Sequence, residues 1–167
     1  TMHIGSGTRT VRPADDCPTI VTAAMISANS AASMIDFLFS GVLVRYPNLK
    51  LMYAESQIGW IPYYLERADD NYKTHMWAQG EERLPEPPSY YYHRQIYSCF
   101  FKDTAGMKLL DEVGVDNVLF ETDYPHSDGT FPRSKEVAHE LFGHLDPEVV
   151  HKIARGNAIK LFNLPFD

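Results

Sequence analysis

The chain has 167 residues, 44% of them hydrophobic and 22% charged, the balance of one globular domain with a sizeable core rather than a disordered tail. A formal net charge of -7, with Lys and Arg scattered, argues against a nucleic-acid partner, which needs a basic footprint. No apolar stretch approaches the roughly 20 residues of a membrane span, no signal-peptide pattern opens the chain, and Cys17 and Cys99 have no CxxC spacing. The expectation is a cytoplasmic protein with reduced thiols and no membrane.

In chain order, Thr1-Met2-His3-Ile4 reads as the end of a strand with His3 at its mouth, followed by a turn whose Gly5 and Gly7 let backbone approach a ligand closely. Domains seldom begin inside an element, so the chain is expected to be part of something larger. Alone, a histidine so near the start reads more readily as an exposed residue than as a ligand. Residues 8–28 carry Arg9, Arg12, Pro13, Asp15, Asp16 and Pro18 without a sustained period, the pattern of a long functional loop able to cover a site.

Behind the N-cap candidates Asn29 and Ser30, apolar residues at Met34, Phe37, Leu38, Val42 and Val44 predict an amphipathic helix to about Tyr46, stopped by Pro47-Asn48. Lys50–Glu55 is a predicted strand ending in an acid. Gly59-Trp60-Ile61-Pro62 opens a helix through Tyr72, with Pro where the first turn tolerates it. Arg67, on that helix, reads equally as a buried pairing residue and as a solvated charge. Gln79–Ser89, with three prolines, is a predicted loop, and Tyr90, Tyr91 and Tyr92 read as packing aromatics.

Gln95–Phe101 is the next predicted strand, Asp103 stands at its end, and a helix runs through Leu109, Leu110 and Val113 to Gly114. Val118–Asp123 is the most informative stretch. Alternation along a strand puts Leu119, Glu121 and Asp123 on one face, with Asp123 at the carboxyl end of a greasy run. A carboxylate there is costly to desolvate unless a metal, an Arg or several donors pair with it. Pro125 turns the chain and aims His126 at the same rim. The competing reading is that Asp123 caps a turn and His126 is a surface residue. A helix over Pro132–Phe142 and two short ones within Pro147–Leu161 close the chain, the second starting near Gly156-Asn157.

Repeated βα units imply a parallel sheet, and ligands of such sheets bind beyond the carboxyl ends of the strands. His3, Glu55, Asp103 and Asp123 all stand there. The chain is read as one α/β domain, 1–167.

At this point the chain resembles the amidohydrolase-related (amidohydrolase 2) family of metal-dependent hydrolases and decarboxylases, which includes aminocarboxymuconate-semialdehyde decarboxylase. The matching runs are His3-Ile4-Gly5-Ser6-Gly7, Ser40-Gly41-Val42 with Tyr46-Pro47-Asn48-Leu49-Lys50, and Ala54-Glu55-Ser56 with Gly59-Trp60-Ile61-Pro62 and Glu66-Arg67-Ala68-Asp69. Thr122-Asp123-Tyr124-Pro125-His126 and Arg155-Gly156-Asn157-Ala158 complete them. The resemblance implies the carboxyl-terminal half, strands five to eight, of a (β/α)₈ barrel.

By the same resemblance His3 is the strand-five metal ligand and Asp123 the strand-eight aspartate, which binds metal or works with its water. Glu55 ends strand six, where the decarboxylases usually have histidine. The family's first-strand pair of metal ligands does not occur in these residues. Two ligands fall short of the three a catalytic zinc takes from protein, so the expected partner is a chain or fragment supplying strands one to four and the remaining ligands, in an oligomer.

The implied cofactor is one divalent ion, zinc first, with manganese or iron as alternatives. Its bound water would give a proton to Asp123, while Glu55 and His126 orient substrate or shuttle protons. Arg9, Arg12 and Arg67 are candidate carboxylate clamps and Trp60 a further substrate-binding candidate. Because Glu55 replaces the usual histidine, the first expectation is hydrolysis of an ester, lactone or amide-like bond in a small organic substrate. The alternative is non-oxidative decarboxylation of an aromatic or unsaturated acid. A non-catalytic half-barrel subunit, or an open α/β domain that binds a small molecule without metal, are the readings of another class.

Overall fold

The computed structural model describes residues 1–4, 11–79 and 84–166. The strands are β1 (Met2–His3), β2 (Leu51–Ala54), β3 (Ile96–Phe100) and β4 (Val118–Phe120). They form one sheet in the order β1-β2-β3-β4. Every neighbouring pair is parallel, with His3 opposite Ala54, Tyr53 opposite Ser98 and Phe100 opposite Phe120. The strand that carries the site is therefore shorter than expected, ending at Phe120 rather than Asp123.

The helices are α1 (Thr19–Ala24), α2 (Ser27–Phe39), α3 (Val42–Arg45), α4 (Ile61–Thr74), α5 (Pro88–Gln95), α6 (Thr104–Lys108), α7 (Leu110–Val113), α8 (Ser134–Phe142), α9 (Pro147–His151) and α10 (Asn157–Phe162). In three places they revise the sequence reading. The helix expected to run to Tyr46 breaks into α2 and α3 because Gly41, at φ 73°, takes the left-handed conformation that ends one helix and starts the next. The predicted loop over residues 8–28 contains α1. The tyrosine run after the prolines is helical, α5, entered through Pro88 in its first turn, where a missing N–H costs nothing. Lys152–Gly156, between α9 and α10, is a π-helical turn.

Alternation divides the sheet into two faces. Leu51, Tyr53, Ile96, Phe100 and Val118 belong to the core built with the helices, together with Met34, Leu38, Ile61, Leu65, Phe142 and Ile153. Phe142 closes an edge-to-face trio with Phe100 and Phe120, at centroid distances of 6.2 and 5.3 Å. On the opposite face Met52, Ala54 and Tyr97 stay partly exposed, while Cys99 and Leu119 are buried. Among the described residues, β1 and β4 each pair on one side only, and no helix is long and apolar enough to cross a membrane.

Two buried amides hold helices to strands. Asn157, from the Arg-Gly-Asn-Ala run, donates to the carbonyls of Val115 and Val118 at 2.7 and 2.8 Å. Asn117 donates to the carbonyls of His93 and Ile96 at 3.0 and 2.8 Å. Both are capable of replacing water at carbonyls that lie inside the fold.

Asp103 is the principal tie at the rim, and its role differs from the expectation that it faces a ligand. Its carboxylate accepts from the backbone N–H groups of Ile58 (2.7 Å), Gly59 (2.6 Å) and Gly106 (2.7 Å), capping α6 and fastening the loop after β2 to the end of β3. Gly59 is small for this reason, since a Cβ there would stand 2.8 Å from Asp103 Oδ1. Asp103→Ala leaves three donors without their acceptor and is expected to cost about 2–4 kcal/mol in denaturant unfolding. A cost under about 0.5 kcal/mol, the size of an ordinary surface change, would show that the clamp is dispensable.

Candidate active site

Because all four strands run the same way, their carboxyl ends share one rim. His3 ends β1, Glu55 follows β2 directly, and Glu121 and Asp123 follow β4. The backbone turns sharply there: Glu55 (φ 57°), Gln57 (φ 58°) and Asp123 (φ 53°) are left-handed although none is glycine. Such residues cost on the order of 1–3 kcal/mol each and mark sites where the surroundings enforce a geometry. For Asp123 the consequence is direct. The strand alternation that reaches Glu121 does not carry on to Asp123, whose own turn re-aims its carboxylate.

Two pairs of side chains form. His3 Nε2 lies 2.5 Å from Glu55 Oε1, and its Nδ1 lies 2.5 Å from the carbonyl oxygen of Ile4. The hydrogen bond to Ile4 first, then the charges of Glu55 and Asp123, raise the imidazole above its ordinary pKa against a smaller opposing effect of burial. Asp123 Oδ2 lies 3.3 Å from His126 Nδ1. The backbone N–H of Asp128 also approaches that nitrogen, at 3.2 Å. The loop is closed by His126 N–H to Asp123 O at 2.7 Å and by Thr130 N–H to Thr122 O at 2.9 Å.

A cleft of about 420 Å³ brings His3, Glu55, Asp123, His126 and Asp128 together with apolar walls from Ile4, Phe101, Ala23 and Ile26. Ala23 lies in the last turn of α1 and Ile26 just before α2, so the segment expected to cover a site does line it. A larger cavity, about 690 Å³, lies elsewhere, between α4, α5 and α7. Its Asp69 is engaged by Ser89 through both backbone and hydroxyl, at 2.9 and 2.6 Å.

Glu121 is the residue that sequence reasoning passed over. It was placed on the right strand face but given no role. Its Oε1 accepts from the backbone N–H of Glu55 at 2.7 Å. Burial, with added repulsion from Glu55 and Asp123 that outweighs the hydrogen bonds it accepts, pushes its carboxyl up to about 7. The available signal was the i, i+2 spacing of two acids at one strand end. Burial likewise pushes the neighbouring Cys99 thiol up, so it is not a reactive thiolate.

The other predicted residues lie away from this cleft or outside the described residues. Arg12 donates to the carbonyl of Asp15 at 2.9 Å, and Arg67 pairs with Asp70 at 2.9 Å on the exposed side of α4. Trp60 donates to the carbonyl of Ser56 at 2.7 Å and packs edge-on to Tyr64. None of the three lines the cleft. Arg9 lies outside the described residues. Lys102, another rim cation, donates to the carbonyl of Gly129 at 3.1 Å.

Imidazole nitrogen beside carboxylate oxygen is a donor set that suits a manganese- or zinc-type divalent ion. A cation taking His3 Nε2 would displace the contact with Glu55 and any proton held there. Among the described residues no three His, Cys, Asp or Glu side chains are grouped to hold a metal ion. The donors present therefore fit a metal as a partial set.

A family model described as Amidohydrolase matches residues 1–164. The chain belongs to the amidohydrolase family. Its fold is similar to those of several solved members and relatives. The 5-carboxyvanillate decarboxylase LigW of Sphingomonas paucimobilis is 21% identical over 83% of this chain and 41% of its own, with a TM-score of 0.71. An amidohydrolase of Mycobacterium avium subsp. paratuberculosis is 23% identical over 86% of this chain and 36% of its own, with a TM-score of 0.72. A dihydroxybenzoic acid decarboxylase of a Polaromonas species, solved with bound manganese and the inhibitor 2-nitroresorcinol, is 20% identical over 95% of this chain and 49% of its own, with a TM-score of 0.68. The amidohydrolase chain described here thus spans about half or less of each of these structures, as a partial (β/α)₈ barrel.

The raised Glu121 carboxyl makes stability depend on pH with a defined sign. From the ordinary 4.5 to about 7 the folded chain keeps a proton that the unfolded chain has released. Its contribution therefore falls as pH rises through that window and levels off above it. Glu121→Gln, which mimics the protonated form, is expected to match the parent in Tm near pH 4.5 and exceed it at pH 8, both measured with chelator. A Tm difference that stays constant between those pH values would contradict the assignment.

Proposed function

We propose that this chain forms the carboxyl-terminal half, strands five to eight, of a metal-dependent decarboxylase of a hydroxylated aromatic acid. Its site is completed by ligands from strands outside these residues. The carrying observation is the convergence of His3, Glu55, Asp123 and His126 on one cleft at the carboxyl rim, where barrel enzymes place their chemistry. Two of the similar structures are named as decarboxylases of hydroxylated aromatic acids, which favours this reading over the hydrolysis that Glu55 first suggested. Hydrolysis remains the second reading on that one residue. The open outer edges of β1 and β4 support completion by further strands, either of a longer polypeptide or of a separate one.

His3 and Asp123, with ligands from the remaining strands, would hold a divalent ion. Manganese stands ahead of zinc because it is present in a similar structure and suits oxygen-rich donors. When bound, the ion supplies positive charge against the substrate's carboxylate and phenolate oxygens. The chain's own side chains do the rest. Asp123, beside His126, is placed to hand a proton to the ring carbon as the bond to the carboxylate carbon breaks and carbon dioxide leaves. His126, largely exposed, returns a proton from solvent. Ile4, Phe101 and Ile26 offer an apolar wall for the ring. Arg9, outside the described residues, and Lys102, just after β3, are the cations proposed to meet the carboxylate at this acidic rim.

The test is release of carbon dioxide from hydroxybenzoates by the barrel-complete protein, with Mn²⁺ or Zn²⁺ added and then removed by chelator. Metal-dependent release is expected, and Asp123→Asn should lower kcat by about 100-fold or more. Ester or lactone cleavage without carbon dioxide release would replace this reading by the second. Full activity in the variant would remove Asp123 from the mechanism.

A further inference from the structure

Glu55 sits at the end of a strand in a left-handed conformation, φ 57°. Its backbone N–H is bound by Glu121 Oε1 at 2.7 Å, across 66 residues of sequence. In the sheet, β2 and β4 are not neighbours, because β3 lies between them. Glu121 therefore reaches over β3 to the end of β2. Its own backbone is held by the ladder, through Glu121 N–H to Phe100 O at 3.0 Å. Glu121 and Glu55 each stand directly after a strand, and the bond to Phe100 ties the acceptor to the end of β3. Glu55, held in this way, directs its carboxylate to His3 Nε2 at 2.5 Å.

We propose that Glu121 is a positioning residue for the reaction: by gripping the Glu55 amide it fixes Glu55 in the conformation that holds its carboxylate in the cleft on the side of His3. The bond needs an acceptor at the reach of a glutamate side chain, and it does not need the charge. An ordinary strand-end N–H is satisfied by a neighbouring carbonyl or by water at no electrostatic cost. Here a partly buried carboxylate, two residues from Asp123, takes that place, at a desolvation cost that a carbonyl or water would not carry. A bond kept at such expense, to the amide of a cleft residue in a left-handed turn, points to the geometry of the cleft as its purpose.

The role is stated for the metal-dependent reaction proposed above, and the test separates the two. Glu121→Asp keeps the charge and shortens the reach by one methylene, whereas Glu121→Gln keeps the reach and drops the charge. Hydrogen exchange of the Glu55 amide is followed in the barrel-complete protein without metal, and kcat, KM and Mn²⁺ affinity are measured with it. The expected result is exchange at Glu55 at least tenfold faster in Glu121→Asp than in Glu121→Gln. The aspartate variant is also expected to have kcat at least tenfold below that of the glutamine variant, with KM values within about threefold. Glu55 protection retained in Glu121→Asp, or lost equally in both variants, would overturn the positioning role. So would a normal kcat in Glu121→Asp despite lost protection. If the parent protein shows no metal-dependent turnover, the exchange contrast alone decides whether Glu121 grips Glu55, and it is the reaction that falls.

Discussion

A parallel sheet leaves the last N–H groups of its strands and the first loop residues on a single rim, where no further strand residue is available to bond them. In this chain two carboxylates take up those donors. Asp103 binds three backbone N–H groups around the ends of β2 and β3, and Glu121 binds the amide of Glu55. Both bonds run between elements rather than within one. They convert four short strand ends into a surface with fixed side-chain directions, and the cleft that holds His3, Glu55, Asp123 and His126 depends on that rigidity.

The same rim accumulates negative charge. Among the described residues, Glu55, Asp123 and Asp128 line the cleft with His3 and His126, and Glu121 stands against the Glu55 amide. Low dielectric makes this arrangement expensive unless a cation joins it. Burial first and then the neighbouring acids raise the Glu121 carboxyl, while the His3 imidazole is raised first by its bond to Ile4 and then by the charges of Glu55 and Asp123. The proposed divalent ion, with further ligands from strands outside these residues, would relieve that repulsion, and the described residues supply a partial donor set for it.

Much of the fold was legible because it rests on periodicity. Apolar residues such as Ile61, Leu65 and Ala68 recur at helical spacing, and the four strand cores read as short greasy runs ending in polar groups. What escaped was geometry that depends on positive φ or on distant partners. Gly41 split a helix whose apolar pattern continues across the break. Pro88, taken as part of a loop, opens α5. In the site, Asp123 was found from its position at a strand mouth, and His126 from the turn made by Pro125. Asp103 was indistinguishable from them in sequence, since nothing local reveals that its acceptors are taken by Ile58 and Gly59. Glu121 escaped for the converse reason: its partner is 66 positions away. Strand-end acids can be recognised locally, but which of them face a ligand and which brace the backbone is decided by contacts of long sequence range.

Anomalous diffraction at the manganese absorption edge, from crystals of the barrel-complete protein grown with Mn²⁺, tests the central claim most directly. A peak within about 2.0–2.3 Å of both His3 Nε2 and an Asp123 carboxylate oxygen, distances typical of divalent ions on such donors, is the predicted result. Ordered metal bound elsewhere, with His3 and Asp123 both outside its coordination sphere, would contradict it.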